Sequence, residues 1–121
     1  AFSPSFWLSS DRTDAAGVQR TRLAQGMVEA GPKRTGSRFW FAVGTAEETD
    51  DRDADGVIDA VDDTLDLARG LERLGYSANL EYAMHPSGDE EVAFLLLPGG
   101  RHDQASWARM LPLFLQWAYR K

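Results

Sequence analysis

The chain has 121 residues, enough for one domain with its own core, and a formal net charge of −6. That charge disfavours nucleic acid and anionic membrane surfaces as partners. Cysteine is absent, which excludes a disulfide framework, a zinc–thiolate site and a cysteine nucleophile. No apolar run approaches the ~18 residues that a helical membrane span needs.

Ser3–Leu8 reads as a short buried strand. Asp14–Ala30 reads as a helix weakened by Gly17 and Gly26 and stopped by Gly31-Pro32. Arg38–Val43 is a continuous apolar run of strand length, as in a parallel strand buried on both faces. Asp59–Leu74 carries Val61, Leu65, Ala68 and Leu71 on one helical face, with Gly75 just past its end. Ala78–Met84 is the next strand. After the turn-like His85-Pro86-Ser87-Gly88-Asp89, Glu91–Leu97 is a further strand-like run that can pair back as a hairpin. Gln104–Tyr119 is the last helix, with Trp107, Met110, Leu111, Phe114 and Trp117 as its buried stripe. Pro112 predicts a kink or a second segment there. The order predicts an α/β fold of about three parallel strands alternating with three helices, plus the extra hairpin before the last helix.

Sites in such sheets form at the carboxyl ends of the strands. Glu47 and Glu48 follow the Arg38–Val43 strand through Gly44-Thr45-Ala46. His102 leaves a Gly99-Gly100 turn and opens the last helix. Glycine permits the sharp turn, and loops held between rigid elements are where catalytic groups usually sit. Carboxylate and histidine thus point to one sheet edge, as two members of a Ser-His-acid triad. His85 is an alternative base that lacks the glycine loop.

Four segments, in order, resemble the C-terminal half of one group of α/β-hydrolases. The group includes esterase D-like enzymes, enterochelin esterases, feruloyl esterases and mycolyltransferases. Ser3-Pro4-Ser5-Phe6-Trp7 resembles its strand after the nucleophile, and Phe39–Glu47 its strand leading to the acid. Leu71–Tyr76 with Leu80-Glu81-Tyr82 resembles the next helix–strand unit. Gly99–Asp103 with Trp107 and Leu111-Pro112 resembles the histidine loop and final helix. The resemblance implies the C-terminal part of an α/β-hydrolase sheet, with His102 as general base and Glu47 as acid. Glu48 is the runner-up acid, and a small ester is the substrate of the intact protein. The family's Gly-x-Ser-x-Gly elbow and oxyanion loop are not in the sequence. Residues 1–121 therefore read as a single partial domain, inactive alone, that partners the N-terminal half of the same protein. The strand Ser3–Leu8, without its usual neighbour, implies an exposed edge through which the chain would homodimerise. The sequence leaves the compartment open.

Residues 51–62 carry a second chemistry. Asp51, Asp53, Asp55, Asp59 and Asp62 stand at positions 1, 3, 5, 9 and 12 of a twelve-residue window, with Gly56 at position 6. The Val57 carbonyl falls at position 7. This is the spacing of a calcium loop, closest to dockerin and thrombospondin type III loops, and makes Ca2+ the expected cofactor. The plain alternative is a solvated acidic loop at a helix N-terminus, where aspartates are favourable anyway. Two competing functions follow: a calcium-binding interaction module, and a hydrolase-like domain that has lost catalysis.

Overall fold

A computed structural model describes residues 1–119. Three parallel strands, β1 (Phe39–Gly44), β2 (Ala78–Asn79) and β3 (Val92–Leu97), form one open sheet in the order β1-β3-β2. Four helices, α1 (Ala15–Arg20), α2 (Leu23–Ala30), α3 (Asp59–Arg73) and α4 (Gln104–Ala118), complete an α/β fold of the predicted class. None of these helices is long and apolar enough to cross a membrane.

The two long strands are apolar at almost every position because both faces of the sheet are covered. On one face Phe41, Val43, Val92 and Phe94 pack against Val61, Leu67, Ala68 and Leu71 of α3. On the other, Trp40, Ala42, Ala93 and Leu95 pack against Met110 and Trp117 of α4. Each large side chain so buried contributes roughly 1.5–3 kcal/mol. The alternation fixes the register, from Phe39 opposite Val92 to Gly44 opposite Leu97. A slip of one residue would exchange the two faces.

Five expectations change. Ser3–Leu8 is not a strand: Phe2 makes one parallel bridge to Ala42, and Phe6-Trp7 is a turn. Ser3, at φ +49°, turns the chain off the sheet, and Pro4 has no N–H to continue a ladder. Trp7 and Leu8 are consequently exposed rather than buried. The Asp14–Ala30 helix is two helices, because the Arg22 backbone bridges Ser9 and the Leu23 N–H bonds to the Leu8 carbonyl at 2.8 Å. Glu91–Leu97 does not fold back as a hairpin; β3 runs parallel to both neighbours and occupies the centre of the sheet. The Ala78–Met84 strand shortens to two residues, although the Tyr82 N–H still reaches the Phe94 carbonyl at 3.2 Å. Pro112 neither breaks nor restarts α4. Pro112 and Ala108, whose carbonyl loses its helical donor, are both on the exposed side of α4, so the lost bond does not leave a buried carbonyl.

At the carboxyl end of the sheet, Gly44 lies against Gly100. A Cβ on Gly44 would meet the Gly100 carbonyl oxygen at 2.1 Å and its carbon at 2.2 Å. Gly44→Ala is therefore expected to destabilise by about 3 kcal/mol or more, the upper end of overpacking costs. Gly26, inside α2, has nothing within 4 Å of a built Cβ. Gly26→Ala is expected to stabilise by about 0.5–1 kcal/mol. Urea unfolding midpoints of the two variants check both signs.

Candidate functional site

Because β1 and β3 are adjacent and parallel, the loops that follow them leave the same edge. Three backbone-anchored bonds tie those loops together. The Thr45 N–H donates to the Leu97 carbonyl at 3.1 Å and the Ala46 N–H to the Gly100 carbonyl at 2.9 Å. The Gly99 N–H donates to the Thr45 hydroxyl at 2.8 Å. Beyond this tie, Glu47 and His102 meet: His102 Nδ1 lies 3.4 Å from Glu47 Oε2. The Glu47 side chain is 3% exposed and the His102 side chain 56%. An imidazole anchored through Nδ1 has Nε2 left as the nitrogen that can exchange a proton with a substrate-side group. At 3.4 Å the contact is at the long end of hydrogen-bond distances.

Glu47 is held on its other oxygen. Oε1 accepts from the Ser3 hydroxyl at 2.5 Å and from the Gly44 N–H at 2.8 Å. Asp103 caps α4 by accepting from the Ser106 N–H at 2.8 Å, and this bond holds its carboxyl below the usual aspartate range. The cap fixes where the histidine loop ends. The His102 ring meets the Trp107 ring edge-on, with centroids 5.3 Å apart. A cleft of about 80 Å3, lined in part by Pro4, Phe6, Trp7 and Asp63, opens beside His102.

Glu48, the runner-up acid, turns elsewhere. Its carboxylate accepts from the Ala60 N–H at the start of α3, at 2.7 Å. Burial, reinforced by Asp50, Asp59 and Asp63, pushes its pKa up. His85 lies in the exposed segment after β2, where its carbonyl accepts from the Asn79 side chain at 2.7 Å.

In the acidic loop, Asp51, Asp53, Asp55 and Asp62 each bring a carboxylate oxygen within 4.8 Å of the others. Oxygens on opposite sides of a cation bound at about 2.3–2.6 Å stand about 4.6–5.2 Å apart, so one ion can touch all four. The group can hold a metal ion. The loop is shaped for this by Gly56 at φ +87° and by Asp51, which accepts from the Gly56 N–H at 2.9 Å. Asp62 Oδ2 is buried and has no hydrogen-bond partner among the described residues. Burial first, then the adjacent Asp55, raises the Asp62 pKa from 3.8 to about 7. Val57 sits on the exposed side of the loop, its N–H held by Asp55 at 2.8 Å.

Asp59 is not in the cluster. It faces Arg52, accepting from the Arg52 N–H at 3.0 Å and pairing with its guanidinium at 3.3 Å. Arg52 also bonds Asp63, which pairs with Arg22 at 2.7 Å; Arg22 and Asp63 are both buried. The spacing of the acidic residues does not reveal this network; the legible sign is Asp63 one helical turn before the apolar Leu67, where a carboxylate needs a buried partner. Ser3 was missed because its strand reading gave its side chain no role.

No family model, curated protein or solved structure matches the chain.

The Asp62 shift has a pH consequence. With no cation, the folded state binds the Asp62 proton up to about pH 7, whereas the unfolded chain releases it near 3.8. The contribution of Asp62 to stability is therefore present below pH 3.8 and lost as pH rises to about 7. Melting temperatures of the metal-free chain across this range should show that decline, and Asp62→Asn should flatten it.

Proposed function

We propose that the chain supplies the base and acid of a serine-type carboxylic-ester hydrolase whose nucleophile lies outside residues 1–121. The observation that carries this reading is the contact of His102 Nδ1 with the buried Glu47 carboxylate at the carboxyl edge of a parallel sheet. In this reading His102 Nε2 takes the proton from a serine hydroxyl as its oxygen attacks the ester carbonyl. It then returns that proton to the departing alcohol, leaving an acyl-serine that water hydrolyses by the same exchange. Glu47 accepts from Nδ1–H, holds the ring in the productive tautomer and stabilises the imidazolium. The N-terminal half of the same protein is the partner, bringing the nucleophile and oxyanion donors. A small ester is the substrate.

Joined to that half, the protein should hydrolyse p-nitrophenyl esters, whereas residues 1–121 alone should not. His102→Ala or Glu47→Gln should each lower kcat by about 10⁴-fold or more. Glu48→Gln should stay close to the parent rate. A joined protein that keeps most of its activity as His102→Ala has another base.

For the acidic loop we propose Ca2+ as the ion. Four hard carboxylate oxygens with no nitrogen or sulfur donor suit it, and the ion would relieve the repulsion among them. Asp51, Asp53, Asp55 and Asp62 would hold it, with the Val57 carbonyl as a further ligand. A solvated acidic loop at the N-terminus of α3, where aspartates are favourable without a metal, is the competing reading. Calcium in 100-fold excess over Kd should stabilise the fold by ~2.7 kcal/mol, seen as a rise in Tm. Asp53→Asn with Asp55→Asn should abolish the rise. An unchanged Tm at millimolar calcium would discard the ion.

A further inference from the structure

We propose that Ser3 is the positioning residue of the acid–base pair: its hydroxyl, oriented by the Trp107 indole, locks the Glu47 carboxylate toward His102. The inference rests on the reading of His102 and Glu47 as base and acid.

Three segments distant in sequence converge on one oxygen. The Trp107 Nε1–H donates to Ser3 Oγ at 2.9 Å, and Ser3 Oγ–H donates to Glu47 Oε1 at 2.5 Å. The direction of this relay is not free. An indole N–H is a donor only, so it takes a lone pair of the serine oxygen and leaves the single hydroxyl proton to go elsewhere. An ionised carboxylate is an acceptor only, so that proton goes to Glu47. With the Gly44 N–H also on Oε1, at 2.8 Å, this oxygen carries two donors and Oε2 is left for His102. The carboxylate plane is thus set by the Ser3 hydroxyl and the Gly44 N–H on one oxygen and by His102 on the other.

The backbone of Ser3 points the same way. Its φ of +49° is a conformation glycine adopts without a steric penalty and serine does not. Nothing in the turn itself calls for a side chain. Ser3 is nonetheless 4% exposed, with its hydroxyl in the relay. Strain of this kind persists where a side chain is used. Trp107 has two contacts with the pair: its ring lies perpendicular to that of His102, and its N–H reaches Glu47 through Ser3.

The readout is the tautomer of His102 in the folded chain, given by the nitrogen shifts of its ring at mildly alkaline pH. The parent should hold the proton on Nδ1, facing Glu47. Glu47→Gln, whose amide no longer demands that proton, should lose the preference. Ser3→Ala and Ser3→Gly should both give a mixture of tautomers. Ser3→Gly removes the hydroxyl and relieves the φ strain together, so an intact amide spectrum for that variant separates the effect from misfolding. Trp107→Phe keeps the ring but deletes the N–H, and should weaken the preference without either Ser3 change. In the enzyme joined to its N-terminal half, Ser3→Gly should lower kcat on the order of tenfold or more with KM unchanged. A parent without the Nδ1 tautomer would sink the acid–base reading itself. A parent with it, lost in Glu47→Gln but fully kept in Ser3→Gly and Trp107→Phe, would leave that reading standing and overturn the role of Ser3.

Discussion

The approach of Gly44 to Gly100 is the constraint on which the carboxyl edge of this sheet depends. Parallel pairing of β1 with β3 brings their ends level, Gly44 opposite Leu97. The glycine pair lets the two outgoing loops run backbone against backbone, and the bonds of Thr45, Ala46 and Gly99 fasten them. Glu47 and His102, 55 positions apart in sequence, then meet within 3.4 Å. A methyl group at either glycine would force the loops apart.

A second constraint is electrostatic. A chain with six more acids than bases concentrates five aspartates between residues 51 and 62, across the loop and the first turn of α3, and buries Asp63 beside them. Two arginines answer that charge. Arg52 leaves the loop to meet Asp59 and Asp63, and Arg22 reaches Asp63 and Asp66 from the start of α2. Buried pairs of this kind add little net stability over an apolar core, but removing one partner strands a charge and costs ~3–5 kcal/mol. Their effect here is registry: they fix the loop, α2 and α3 relative to one another. Asp63 also lines the cleft beside Glu47 and His102, so the arginine–aspartate network borders that cleft.

The histidine end shows the same economy. Asp103 caps α4, Ser106 returns a hydroxyl to the Arg101 N–H at 2.8 Å, and Trp107 lies against the ring of His102. One helical turn therefore ends the loop, orients the histidine and reaches back to Ser3. The Asp103 side chain satisfies the Ser106 N–H, one of the first-turn donors that no helical carbonyl reaches.

Sequence alone determined strand runs at Arg38–Val43 and Glu91–Leu97, observed as Phe39–Gly44 and Val92–Leu97, the long helices α3 and α4, and the α/β class. These are signalled by local pattern: continuous apolar runs, a 3.6-residue stripe, and glycine past a helix end. It also marked Glu47, His102 and the spacing of the acidic loop, because a residue's distance from a strand end is a local property. It could not decide that Glu47 rather than Glu48 faces His102, since two adjacent loop residues differ only in what surrounds them. Nor could it see that Asp59 belongs to Arg52, that Arg22 interrupts a helix to reach Asp63, or that Ser3 leaves the sheet and closes on Glu47. Each of those outcomes is a choice between partners 7 to 44 residues apart, made by burial and charge once the layers have packed.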